Sequence, residues 1–272
     1  MPSLPQLLAG PQALIMGVLN VTPDSFYDGN RYLALEKAVD HAKQLADEGA
    51  DILDIGGESS RPGAQPVSEA EELQRLLPLL ERLADDFPLP ISIDTTKPAV
   101  ADACLSRGAA MINDITALAD PRMTEVAVRH QASVVLMHMR GSPRTMQDDC
   151  HYIDVVQEIF AYLQQRVDAA RQAGLSNIVV DPGLGFGKTA KQNFELLRRL
   201  PEFQPLHCPI LVGPSRKSFL ASLPGRPQAD DRLPGTLAAV TAAVFHGARI
   251  VRVHDVKECR QALDVIEAMQ SS

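Results

Sequence analysis

The chain has 272 residues, 45% of them hydrophobic, with Trp absent and aromatics at 4%, so its core must be aliphatic. Lys and Arg number 26 against 34 Asp and Glu, a net charge of -8 that argues against a nucleic-acid or anionic-membrane partner. The 4 cysteines are scattered without a C-x-x-C pair, the N-terminus has no basic residue, and no apolar run is long enough to span a bilayer; a soluble cytoplasmic protein without a disulfide framework or zinc site is expected.

After a short N-terminal extension over residues 1–13, Leu14 to Asn20 is an apolar run ending in a polar residue, read as strand one. Leu33 to Glu48 carries helical spacing and stops at Gly49. Asp51 to Gly57 is strand two. Ser68, with Glu71 three residues on, has the spacing of a capping box and opens a helix to about Asp86, with Pro78 inside it. Ile91 to Asp94 is strand three, Lys97-Pro98 starts a helix ending near Gly108, and Met111 to Ile115 is strand four. A short helix lies around Met123 to His130. Ser133 to Met139 is strand five, and a long helix runs from about Tyr152 to Gln172, ended by Gly174. Strand six ends at Asp181 and meets a glycine-rich loop through Lys188, followed by a helix from about Asn193 to Leu200. Ile210 to Gly213 is strand seven, Leu233 to Gly247 a helix, Ile250 to His254 strand eight, and Val256 to Met269 the closing helix. Strands and helices alternate throughout, which predicts parallel strands with crossover helices. Eight such units suit a (β/α)8 TIM barrel of ~250 residues, a single domain over 1–272, with an open doubly wound sheet as the alternative.

In such a fold the carboxyl ends of the strands form the working face. Here they offer Asn20, Ser60 and Arg61 in the loop after strand two, Asp94, Asn113, Met137, Asp181, Lys217, and Arg252 with His254. One polar strand end is an ordinary cap; a ring of them converges on one mouth. Ile250, Arg252 and His254 share one face of strand eight, opposite Val251 and Val253. Arg252 reads either as a buried ion pair or as a functional group, and an aliphatic core with few buried acids favours the latter. Asp94, Asn113 and Asp181 suit a flat heterocycle with adjacent N–H donors, and Lys217 can donate to the same ring. Arg252, His254, Asn20 and Ser60 suit phosphate oxygens. The glycine loop fits neither phosphate signature: Pro182 stands where a P-loop needs its first Gly, and Lys188 where G-x-G-x-x-G needs its third. Its glycines suit a tight turn close to a ligand, and Lys188 reads as solvated. His138 is left out of the site.

Asn20 to Phe26, Gly57 to Gly63, Asp181-Pro182-Gly183 with Gly185-Phe186-Gly187-Lys188, Ser215-Arg216-Lys217-Ser218 and Arg252-Val253-His254-Asp255 resemble dihydropteroate synthases, in the same order and spacing from about Leu14 onward. The resemblance implies a TIM barrel, a homodimer, and a transferase that is a sulfonamide target. It joins 6-hydroxymethyl-7,8-dihydropterin diphosphate to p-aminobenzoate, giving 7,8-dihydropteroate and pyrophosphate. By position it assigns Asp94, Asn113, Asp181 and Lys217 to the pterin, with Met137, Phe186 and Gly213 lining the slot. It assigns Asn20, Ser60, Arg252 and His254 to the diphosphate, Mg2+ to Asn20, and Phe26, Ser60, Arg61, Pro62 and Ser218 to p-aminobenzoate. It also implies that two loops, residues 21–33 and 58–67, close over the site. Asp94, Lys217, Arg252 and His254 are then the catalytic set. Ser60 stands where the family commonly has Thr; the hydroxyl is kept, but the lost methyl loosens χ1. Alternatives are a pterin-binding paralogue with weak or no synthase activity, or a pterin-dependent methyltransferase barrel, against which Arg252-x-His254 and the Ser215 to Ser218 stretch count.

Overall fold

Period-two alternation along each strand sends one set of side chains inward and the other toward a helical layer. In the computed structural model, which describes residues 3–21, 31–59, 64–84, 86–222, 228 and 230–270, that alternation closes a sheet into a barrel. The strands are β1 (Leu14–Asn20), β2 (Ile52–Gly56), β3 (Ile91–Asp94), β4 (Met111–Asp114), β5 (Ser133–Met137), β6 (Ile178–Asp181), β7 (Leu211–Val212) and β8 (Ile250–Val253). All pairings are parallel, in the order β6-β5-β4-β3-β2-β1-β8-β7. A parallel bridge between Val180 and Ile210 joins the two ends of that order. The expected TIM barrel is the observed fold, and the open sheet is not.

The helices are α1 (Leu4–Ala9), α2 (Arg31–Asp47), α3 (Glu69–Leu83), α4 (Pro98–Leu105), α5 (Pro121–His130), α6 (Val155–Gln172), α7 (Ala190–Arg198), α8 (Leu233–Phe245) and α9 (Val256–Gln270). Local chemistry sets several of their starts. Ser68 accepts from Glu71 N, and the Glu71 carboxylate accepts from Ser68 N at 3.0 Å, the reciprocal box expected from the sequence. Thr189 and Gln192 form another, so α7 begins earlier than the predicted Asn193. Asp154 caps α6 by accepting from Val156 N and Gln157 N.

Two apolar layers result. Outward residues such as Ile15, Leu53, Ile93, Val134, Val180, Val251 and Val253 pack with the helices in one large cluster. Inward residues Leu14, Met16, Ile52, Met111, Val135, Val179, Leu211 and Ile250 form a second cluster with Leu4 and Leu8 of α1. The extension over 1–13 is therefore more than a tail. Its short helix seals the end of the barrel remote from the strand tips, and each sealed Leu contributes about 1.5–3 kcal/mol. Arg249 fixes it by donating from Nη2 to Leu7 O at 2.5 Å. Six residues give too little periodicity to announce a helix, and Pro5 disguises one it tolerates in the first turn.

Candidate active site

Two residues further along, the inward faces change from aliphatic to polar. Asp54, Ser92, Asn113, Asp181 and His138 are all buried in or just beyond the strands. Strand register sets Asn20 beside Gly56, Gly56 beside Asp94, Asp94 beside Asn113, and Met137 beside Asp181. The predicted ring thus exists, at the carboxyl ends of the strands.

Arg252 is its centre. Its Nε donates to Asp54 Oδ2 at 2.6 Å and its Nη2 to Asp94 Oδ2 at 2.8 Å. Asn113 Nδ2 also donates to Asp54 Oδ2, at 3.1 Å. An acid does lie in the core: Asp54 is fully buried at mid-strand, and the part-buried Arg252 forms an ion pair with it. The supposed pterin and phosphate groups therefore meet, since Asp94 and Arg252 touch. Burial raises the Asp94 carboxyl to about 7 despite Arg252. Burial alone would lower the Arg252 guanidinium, but Asp54 and Asp94 outweigh it and hold its pKa above the ordinary value.

The glycine loop forms the adjoining wall. Gly183 N donates to Asp181 Oδ1 at 2.7 Å. Gly183 has φ +71, and a Cβ there would lie 1.9 Å from His138 O, so no other residue fits. Burial raises the Asp181 carboxyl, with Lys217 opposing. Lys217 Nζ donates to Leu184 O and sits 4.5 Å from the Phe186 ring centroid. Burial lowers its pKa to about 8. Gly213 leaves room beside both groups: a Cβ there would stand 3.6 Å from Arg252 Cβ and 3.8 Å from Lys217 Nζ.

Lys188 overturns its solvated reading. It is 3% exposed, and its Nζ donates to Gly183 O and Phe186 O, both at 2.8 Å. It also meets His138 O at 3.3 Å and His138 Nδ1 at 3.1 Å. His138, omitted from the sequence reading, packs edge-on to Tyr162 with centroids 5.0 Å apart. Burial pushes its pKa down to about 2, so the imidazole is neutral and can accept from Lys188. Lys188 thus ties the tip of β5 to the loop after β6.

His254 lies just past β8, where its Nδ1 is 3.0 Å from Ser215 Oγ and its backbone N donates to the same oxygen at 3.2 Å. Ser215, from the Ser215 to Ser218 stretch, thus helps to orient His254. Arg216 pairs with Asp255 at 2.5 Å. Ser218 is exposed and starts a 3-10 turn, Ser218–Ser222. Below the second loop, Lys97 bridges Glu58 and the buried Glu72, the latter at 2.6 Å. Phe26, Ser60, Arg61 and Pro62 lie outside the described residues, as does most of the first loop.

A family model described as "Pterin binding enzyme" matches residues 16–254. Dihydropteroate synthase of Synechocystis sp. is 46% identical over 263 residues, covering 96% of this chain and 91% of that protein. Among solved structures, Xanthomonas albilineans dihydropteroate synthase with 4-aminobenzoic acid superposes with a TM-score of 0.90 at 45% identity, covering 96% of this chain and 94% of that one. The same organism's enzyme in complex with 7,8-dihydropteroate gives a TM-score of 0.87 at 42% identity, covering 96% and 95%.

Proposed function

The chain belongs to the pterin-binding enzyme family, and we propose that its barrel mouth divides the dihydropteroate synthase reaction between two linked groups of side chains. That reaction, which this transferase catalyses in folate biosynthesis, joins 6-hydroxymethyl-7,8-dihydropterin diphosphate to p-aminobenzoate and releases pyrophosphate. The observation that supports the division is Arg252, held between Asp54 and Asp94 at the junction of the two groups.

On this reading Asp181, Asn113 and Asp94 accept N–H donors along the pterin edge. Lys217 donates to the ring, and Met137, Phe186 and Gly213 line the slot. Arg252, His254 and Asn20, with Ser60 from the second loop, take the diphosphate oxygens. Phe26, Arg61, Pro62 and Ser218 border p-aminobenzoate. As the methylene C–O bond breaks, its electron pair leaves on pyrophosphate, whose charge Arg252 and His254 offset. The methylene carbon becomes cationic, and the Asp94 carboxylate faces it. The arylamine nitrogen then attacks and loses a proton after the C–N bond forms. A cation needs no pre-deprotonated amine, so the attack itself requires no general base.

Mg2+ fits these residues in a limited way. Asn20 Oδ1 is a hard oxygen donor facing the space that the missing side chain of Gly56 leaves open, with Asp94 Oδ2 across it. Among the described residues no three His, Cys, Asp or Glu side chains gather to hold a metal. Asn20 would hold the ion together with diphosphate oxygens and water, a common arrangement for Mg2+. When bound, it supplies positive charge to the leaving group.

Dimerisation and a cytoplasmic location belong to the same proposal; among the described residues no helix is long and apolar enough to cross a membrane. Sedimentation of the purified chain tests the dimer. The functional test follows pyrophosphate and dihydropteroate together. Stoichiometric formation of both supports the proposal, and pterin binding without product would favour a binding paralogue.

A further inference from the structure

We infer that Asp54 is a positioning residue for both halves of the substrate: its Oδ2 holds Arg252 by Nε and Asn113 by Nδ2, fixing which edge each presents to the mouth. The inference rests on the pterin and diphosphate roles proposed above for Asn113 and Arg252.

Asp54 lies two residues before the tip of β2, between Ile52 on the apolar floor and Gly56 at the rim, and is fully buried. A carboxylate in such a place costs several kcal/mol in desolvation, and a well-packed apolar residue of similar volume often serves stability as well. Its bonding is also unequal. Oδ2 takes two donors, from Arg252 and Asn113, while Oδ1 is buried with no hydrogen-bond partner among the described residues. Charge balance explains the bond to Arg252, but not why the same oxygen also takes the Asn113 amide while Oδ1 goes without a partner among the described residues.

The consequence for Asn113 is one of orientation. A primary amide has a donor end and an acceptor end that are nearly the same shape. An ionised carboxylate only accepts, so Asn113 must turn its NH2 toward Asp54. Its Oδ1 is left for a ligand N–H, and no donor among the described residues takes it. A pterin edge carries such N–H groups. Without Asp54 the amide can rotate and present NH2 to NH. For Arg252 the effect is similar: with Nε engaged by Asp54 and Nη2 by Asp94, Nη1 is the nitrogen that neither carboxylate takes. One carboxylate oxygen therefore sets the polarity of the pterin contact and the aim of the phosphate contact.

The test is a double-mutant cycle on steady-state kinetics with both substrates. Asp54→Asn keeps the shape but offers the Arg252 guanidinium and the Asn113 amide a single neutral oxygen. It is expected to raise KM for the dihydropterin diphosphate by about tenfold, the loss of roughly one charge-assisted bond, with KM for p-aminobenzoate changed by less than about twofold. In an Asn113→Ala background the same substitution is expected to add less than about threefold, the share that acts through Arg252, because the amide it orients is gone. If Asn113→Ala raises the pterin KM while Asp54→Asn leaves it unchanged, or if the two effects multiply in full, Asp54 is not a positioning residue. If Asn113→Ala itself leaves KM unchanged, the pterin assignment fails first and takes this inference with it. Should Asp54→Asn not fold, the parent protein labelled with 15N-asparagine decides. The Asn113 side-chain amide is expected to exchange slowly with water, and rapid exchange overturns the inference.

Discussion

Replacing Lys188 with Met gives a test in which two large effects oppose each other at neutral pH and separate at alkaline pH. The ammonium nitrogen lies 2.8 Å from both Gly183 O and Phe186 O. Removing it strips the buried Gly183 carbonyl and the part-buried Phe186 carbonyl of a donor, a loss of about 1–3 kcal/mol apiece at most. Burial, however, lowers the Lys188 pKa from 10.5 to about 7. Carrying the proton in the folded state therefore costs on the order of 4–5 kcal/mol relative to the unfolded chain. At pH 7 the two nearly cancel, and Lys188→Met is expected within about 2 kcal/mol of the parent. The pH dependence does not cancel. Between about 7 and 10.5 the unfolded chain holds this proton and the folded chain does not. Raising the pH then stabilises the parent by up to about 1.4 kcal/mol per pH unit, and the variant lacks that gain. Urea unfolding of both proteins at pH 7.5, 8.5 and 9.5 measures it. The gap, parent minus variant, is expected to widen with pH; a flat or narrowing gap would refute the assignment of Lys188 as a buried, neutralised staple.

Asp181→Ala is expected to abolish pterin binding, measured by calorimetry with 6-hydroxymethylpterin, and normal binding would remove Asp181 from the site. Gly183→Ala meets His138 O at 1.9 Å in a left-handed conformation. It should destabilise the fold by more than about 2 kcal/mol and raise the pterin KM, and an unchanged melting temperature would contradict the described turn. Chelation with EDTA is expected to slow pyrophosphate release while sparing binding of 6-hydroxymethylpterin, which has no diphosphate. Equal loss of both would place the metal elsewhere.

The barrel was legible because its strands are short aliphatic runs and its helices carry ordinary stop signals. The rim was legible because several strands carry a polar group at or next to their end, so Asp94, Asn113, Asp181 and Arg252 stand out against their apolar neighbours. Asp54 escaped for the converse reason. It sits inside Ile52–Gly56, and a search of strand ends passes over an acid within the strand. Lys188 was misread because flanking glycines signal an exposed turn, while burial here comes from a distant segment, the His138 backbone and ring. His138 is set in place by Tyr162 packing against it and by Lys188, contacts between distant segments that no spacing encodes. Phe26, Ser60, Arg61 and Pro62 are assigned through the resemblance alone.

The stopper formed by Leu4 and Leu8 bears on how the chain folds during synthesis. The bond from Arg249 to Leu7 spans 242 residues, and Leu4 and Leu8 share their cluster with Leu211 and Ile250. A segment made first therefore finds its seat only after β7 and β8 exist. Contacts of such long sequence separation close late and slowly. Until then the apolar floor of the barrel stays open, and a nascent chain stalled before Ile250 exposes the surface on which aggregation begins.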